Sequence, residues 1–397
     1  MPTELPELPD LASLIAAPHE AYVRLREAGP VHRVTGPDGL PVWVVTRYDD
    51  VRRLLADPRL SLDKAHRLPG QYRGFSLPPA LDANLLNMDP PDHTRIRRLV
   101  AKAFTPGRVE GMRGGIQALA DRLLDEVADR GRADLVADYA APLPITVICD
   151  LLGVPQDSRP DFRAWTDALI APDPANPAAT KQAVVAMLGY FPQLVGDKRR
   201  TPGDDLLTDL VEVRDGGDRL TEDELTSLAF LILSAGYENT VQLIGTAALA
   251  LLDHPEQAAA LRAHPDRIEA AVEEFARHDG PALLAIRRFP VEDVEVGGVR
   301  IPAGETVMLS LASANRDPAR FAEPDRLDVD RRDGGHLALG HGIHYCVGAP
   351  LARLKTQIAV GTLLRRFPGL ALDVPRDELR WRPSMRARGL VALPVRF

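Results

Sequence analysis

The sequence predicts a mainly α-helical protein with small β-sheets, folded as a single domain over residues 1–397. Three observations carry that reading. Apolar residues recur at helical spacing through most of the chain, most plainly in residues 112–130 and 223–253. Strand signals are confined to short β-branched runs beside glycine turns. Proline- and alanine-rich stretches such as APDPANPAAT (171–180) are short connections between helices, and no internal repeat or long linker divides the chain.

Each element has a local cause. VHRVT (31–35) and VWVVT (42–46) flank Gly-Pro-Asp-Gly and read as a hairpin. Pro90 and Pro91 open a helix through DPPDHTRIRRLVAKAF (89–104). The run 223–253 begins with a capping box, Thr221 and Glu224, and stops at His254-Pro255. It holds no proline, and a helix of ~30 residues spans roughly 45 Å. A helix from Asp266 to His278 follows. VEDVEV and VRIPAGETVML flank Gly297-Gly298 and read as a second hairpin. Pro350 opens the last long helix, LARLKTQIAVGTLLRRF.

With 397 residues, 45% of them hydrophobic, the chain can bury a large core. A net charge of -8 argues against wholesale binding to nucleic acid or an anionic membrane. Two cysteines supply no disulfide framework and suit a reducing cytoplasm. The N-terminus has acids and prolines where a signal peptide has a basic start and an apolar run. Residues Leu228 to Leu252 are interrupted by Tyr237, Glu238, Asn239 and Gln242, so they fail as a membrane span. A cytoplasmic protein is expected.

Four stretches carry chemistry. In GHGIHYCVGAP (340–350), glycines surround Cys346 just before a helix start. Glycine lets a backbone approach a flat ligand, and the helix dipole favours a thiolate. The bland alternative, a small buried residue, is assigned to Cys149. In EEFAR, Glu274 and Arg277 are three apart and pair on one helix face, either in solvent or in a buried network. In residues 89–104, His93 and Arg97 share a face, while Arg95, Arg98 and Lys102 lie on the other. The second set is either a solvated face or a docking patch. In SAGYENT (234–240), a glycine inside a helix costs about 1 kcal/mol against alanine and needs a reason. Glu238 inside an apolar helix needs one too: a basic neighbour, or proton delivery.

LGHGIHYCVGAPLAR resembles the haem-binding loop of the cytochrome P-450 superfamily. The resemblance runs from the N-terminal hairpin to RGLVALPVRF, and it implies the P-450 fold with its long central helix over the distal haem face. It implies haem b (iron protoporphyrin IX), with Cys346 as the axial iron ligand, and a thiolate there pushes electron density that favours O–O cleavage. It implies that His93, Arg97, Arg288 and His344 hold the haem propionates. It also implies that Arg326 completes a network with Glu274 and Arg277 bracing the cysteine loop. Ala235, Gly236 and Glu238 match the family's oxygen-activation motif, in which the small pair Ala235-Gly236 would let the haem face and dioxygen approach the backbone. Leu231, Ser234, Ala235, Leu284 and Met385 would line the distal pocket, with lids within Leu60 to Met88 and Ala171 to Ala178.

Two positions depart from the pattern. Leu339 stands where the family usually has phenylalanine, and a modest change in redox potential is expected. Asn239 stands where the family has threonine, and Thr240, about 100° further round the helix, faces elsewhere. Glu238, Asn239 and Thr240 are the candidates for catalysis. The resemblance implies a monooxygenase that oxidises an apolar or amphipathic small molecule in natural-product metabolism. Its electrons would come from a ferredoxin and an NAD(P)H-dependent ferredoxin reductase. Alternatives are oxidative coupling or peroxide-driven chemistry, and a catalytically silent haem protein that recruits partners.

Overall fold

The computed structural model describes residues 11–36, 38–70, 72, 77–170, 176–215 and 220–397. Packing divides the chain into two compact units, each assembled from separated segments. The first holds Met1–Phe75, Thr246–Cys346 and Leu379–Val391, and the second holds Ser76–Gly245, Val347–Glu378 and Ala392–Phe397.

The first unit carries the predicted hairpins. Val31–Thr35 pairs antiparallel with Pro41–Val45 in the register Val31 to Val45. Val294–Val296 pairs with Val299–Ile301 across Gly297 and Gly298. Both glycines have positive φ (57° and 83°), as a two-residue hairpin turn requires. The predicted second strand is too long, however. It ends at Ile301, because Pro302 has no N–H to continue the ladder. Val307–Leu309 instead joins the first hairpin, parallel to Pro41–Val45. Val45, Val51, Leu54, Val294, Val307, Leu309 and Phe321 form one apolar core beneath these strands.

The second unit is mostly helical. The helices Arg113–Ala128 and Ala349–Arg366 pack together, as do Arg159–Ile170 and Pro177–Arg200. Phe162, Trp165, Tyr190, Phe191 and Phe230 make a run of tilted and edge-to-face contacts among them. The long helix is Glu222–Asp253. Its capping box is formed: Glu224 N–H donates to Thr221 Oγ1 (3.1 Å), and Thr221 N–H donates to Glu224 Oε2 (2.8 Å). Arg132–Asp134, Pro394–Arg396 and Ala371–Leu372 make a small sheet.

The first expected lid is anchored at its start. Leu60–Ser61 pairs with Phe289–Pro290, and Leu60 and Leu62 are buried. Residues 71, 73–76 and 171–175, within the two expected lids, lie outside the described residues. No described helix is long and apolar enough to cross a membrane.

Candidate active site

In the first unit the cysteine loop is closed by its own backbone. Cys346 N–H donates to the Leu339 carbonyl (2.9 Å), Tyr345 N–H to Gly342 (3.0 Å) and Gly340 N–H to Leu337 (2.8 Å). Gly340 and Gly342 have φ of 77° and 73°, which suits glycine. A Cβ on Gly342 would also meet Ala56 Cα at 3.1 Å. The loop presents an exposed Cys346, whereas Cys149 is buried in the second unit. Burial pushes the Cys149 thiol up to about 12, so it stays protonated. His344 is half-buried, and Arg288 is buried with Nη1 3.4 Å from the Leu60 carbonyl.

An ion pair stands behind that loop. Arg277 Nε and Nη2 donate to the two oxygens of Glu274 at 2.6 and 2.8 Å, with side chains 1% and 2% exposed. Arg277 Nη1 also donates to the carbonyls of Asn315 (2.9 Å) and Pro324 (2.8 Å). The Asn315 side chain then accepts from Leu337 N–H (2.6 Å), where the cysteine loop begins. The third cation is not Arg326, as the resemblance implied. The Arg326 side chain is exposed and pairs with Glu323, and only its carbonyl accepts from Arg277 (3.2 Å). Arg331 takes the place, donating from Nε to Glu274 (3.2 Å). The reason is a turn: Asp328 N–H also donates to Glu274 (3.0 Å), and Arg331 N–H closes on the Asp328 carbonyl (2.9 Å).

In the second unit the long helix is buried almost all round at its centre. Ala235 and Asn239 are exposed there and four apart, so they share one face, with Leu231 and Ser234 half-buried beside it. Glu238 and Thr240 are buried. Glu238 Oε1 accepts from Gln242 Nε2 (3.1 Å), and Thr240 Oγ1 donates to the Gly236 carbonyl (3.3 Å). Gly236 has a packing reason: a Cβ there would lie 2.6 Å from Ile148 Cδ1. Its bare side meets another helix, and Ala235 provides the open position. Leu284 and Met385, in the first unit, sit in an apolar core with Leu14, Tyr22 and Met308.

Sequence reasoning missed Lys355. It is 1% exposed, and its Nζ donates to the Gly236 carbonyl (2.7 Å). The signal was present: Leu351, Lys355, Ile358 and Thr362 share one face of the last long helix, and all are buried. The lysine gives the Gly236 carbonyl a side-chain donor beside the Thr240 hydroxyl. Lys355→Met should speed amide deuterium exchange in a peptide covering 236–241 at little change in Tm. Unchanged exchange would show that the lysine does not hold this turn.

His93 is buried, and burial first, then the Arg97 cation, holds its pKa below the usual value, so the imidazole is neutral. The expected basic patch is smaller than three residues. Arg98 and Lys102 are exposed, but Arg95 is paired with Glu224 and Asp92.

A family model described as Cytochrome P450 matches residues 193–381. Cytochrome P450 107B1 of Saccharopolyspora erythraea is 49% identical over 401 residues, 98% of this chain and 98% of its own. The chain belongs to the cytochrome P450 family. Cytochrome P450 monooxygenase PikC of Streptomyces venezuelae is 49% identical, covering 100% of this chain and 95% of its own. The solved structure of the tirandamycin C-bound P450 monooxygenase TamI superposes with a TM-score of 0.90 at 47% identity, over 98% of this chain and 99% of its own. The protein is therefore a haem-dependent P450 monooxygenase that oxidises a small molecule in natural-product metabolism, with electrons supplied by redox partners.

The residues fit such a group. Among the described residues no cluster of three or more His, Cys, Asp or Glu side chains is placed to hold a metal. One exposed thiol suffices only for a metal that brings its other ligands with it, as iron in a porphyrin does.

Proposed function

We propose that Cys346 is the thiolate ligand of haem b and that residues 1–397 act as one catalytic domain. The observation that carries this is the exposed Cys346 thiol on a loop closed by its own backbone, in a chain whose other cysteine is buried. Both units draw on separated segments of chain, which supports treating them as one domain. The ferrous carbonyl spectrum of the purified, haem-loaded protein tests the ligand. The strongly red-shifted Soret band of thiolate ligation is expected, and a spectrum of the histidine-ligated kind would remove Cys346 from this role.

Bound haem would supply the dioxygen chemistry, in which two electrons from the redox partners and two protons let one oxygen atom enter the substrate and the other leave as water. The chain does the rest. Cys346 S gives up its proton to serve as the ligand, and the Leu339 carbonyl fixes its backbone. Arg97 and Arg288 carry the planar forks suited to the haem carboxylates, and His93 and His344 are the other two candidates for holding them. His93, being neutral, contributes an N–H rather than a charge. Ala235 leaves room on the open face of the long helix. The carboxyl of Glu238, steadied by Gln242, is the proton-bearing group of that turn. Leu339 shields the sulfur.

Asn239 shares the open face with Ala235, and its amide donates a hydrogen bond but relays no proton readily. Thr240, buried and tied to Gly236, does not take the missing hydroxyl's place. A water ordered by Asn239, or a hydroxyl of the substrate, then completes the proton path. Asn239→Thr is expected to change the share of consumed NAD(P)H recovered as product several-fold. An unchanged share would remove position 239 from proton delivery.

The electron donor of this reading is a ferredoxin served by an NAD(P)H-dependent reductase in the cytoplasm. Exposed Arg98 and Lys102 supply a small basic surface for an acidic partner.

A further inference from the structure

Between Leu225 and Leu249, only Ala235 and Asn239 of the long helix are exposed. The turn that carries them is held from three other helices of the second unit. Ile148, on the helix Pro142–Leu151, packs against the bare side of Gly236, where a Cβ would meet its Cδ1 at 2.6 Å and its Cγ1 at 2.9 Å. Tyr237 Oη donates to Asp167 Oδ1 (2.9 Å), on the helix Arg159–Ile170. Lys355, on the helix Ala349–Arg366, donates from Nζ to the Gly236 carbonyl (2.7 Å).

The backbone of this stretch also carries bonds from its own side chains. Ser234 Oγ donates to the Phe230 carbonyl (2.7 Å), and Thr240 Oγ1 donates to the Gly236 carbonyl (3.3 Å). A side-chain donor on a carbonyl of the helix ladder tilts that carbonyl outward and bends the helix. The Gly236 carbonyl takes two such donors, Thr240 and Lys355. Asn239 lies in the turn that this carbonyl opens.

Stability does not explain the lysine. It is 1% exposed, and Leu351 and Ile358 on the same face of its helix are buried as well. A methionine would fill the space without the penalty of taking an ammonium out of water. What the ammonium adds is a charge-assisted hydrogen bond to one backbone oxygen, which fixes a direction that apolar packing does not.

We propose that Lys355 is a positioning residue for the oxygen chemistry: by holding the Gly236 carbonyl it sets the tilt of the 236–240 turn and so aims the Asn239 amide. This deepens the proposed function and rests on its reading that Ala235 and Asn239 face the oxygen site.

The test reads the infrared C–O stretch of the ferrous carbonyl form of the haem-loaded protein. That band responds to polar groups beside the bound gas and needs no substrate. Asn239→Ala should move it. Lys355→Met should shift and broaden it at normal haem content. The double variant should match Asn239→Ala alone, because the lysine acts through position 239. A second readout is the hydrogen peroxide released per NAD(P)H consumed, with a surrogate ferredoxin and reductase and no added substrate. Lys355→Met should raise it several-fold and add nothing in the Asn239→Ala background. An unmoved band in Lys355→Met overturns the proposal. So does a Lys355→Met shift that persists in full beside Asn239→Ala, which would mark a direct field of the ammonium instead. A band that ignores Asn239→Ala overturns it too, since the lysine then has nothing to aim. If Lys355→Met takes up no haem, Lys355→Gln, polar but one bond shorter, replaces it with the same expectations. Loss of haem from both would make the lysine a structural residue and end the proposal. The Soret band of the same carbonyl samples reports separately on Cys346. A thiolate position there, with an infrared band indifferent to Lys355, leaves the proposed function standing and removes only the role of the lysine.

Discussion

Arg277→Leu is expected to lower folding stability by about 3–5 kcal/mol and to leave most of the protein without haem. The magnitude follows from what is left behind. Glu274 and Arg277 are both buried, so removing the cation strands a carboxylate away from water. The carbonyls of Asn315 and Pro324 lose this donor as well, and that of Arg326 keeps only Arg331. The damage then reaches the cysteine loop, because Asn315 holds Leu337 N–H at its start. Denaturant unfolding and haem content per chain measure the two effects. A double variant, Glu274→Leu with Arg277→Leu, should be less damaging than the sum of the singles, since the Glu274 carboxylate is no longer stranded, although Arg331 then loses its carboxylate. Arg331→Leu should cost less than Arg277→Leu, because Glu274 keeps its two-pronged partner. Arg326→Leu should be close to neutral, its side chain being exposed and paired only with Glu323. If Arg326→Leu proved the more damaging of these two, the network described here would be wrong.

That contrast shows where the sequence is readable. Features set by neighbours in the chain were legible: the capping box at Thr221 and Glu224, the two-glycine turn at 297–298, and the Glu274–Arg277 spacing. Each depends on residues within one turn of backbone. Arg331 was not legible, because the turn closed at Asp328 decides which arginine returns to Glu274. The parallel pairing of Val307–Leu309 with Pro41–Val45 was missed for the same reason, since its partner lies far away in sequence. In the long helix, motif matching placed Gly236 on the ligand face. The packing of Ile148 against its bare side is a tertiary fact that no local pattern encodes. Lys355 belongs to this second kind. Its type is ordinary, and only its burial sets it apart.

Cys346→Ser is expected to keep the fold and abolish the oxidation. The loop does not depend on sulfur: its closure runs through Cys346 N–H and the Leu339 carbonyl, and the positive φ angles belong to Gly340 and Gly342. A serine hydroxyl therefore fits the same backbone, and Tm of the haem-free protein should fall by no more than a few degrees. The chemistry is different, because a hydroxyl does not ionise near neutral pH and supplies no thiolate to the iron. The red-shifted carbonyl band should vanish and product formation should drop below detection. Cys149→Ser should do the reverse. Its side chain is buried, its thiol is held protonated, and a hydroxyl placed there without a partner costs about 1–3 kcal/mol. The carbonyl band should be unchanged in that variant while Tm falls. A red-shifted band that persisted in Cys346→Ser and disappeared in Cys149→Ser would exchange the roles of the two cysteines and overturn the site assigned here.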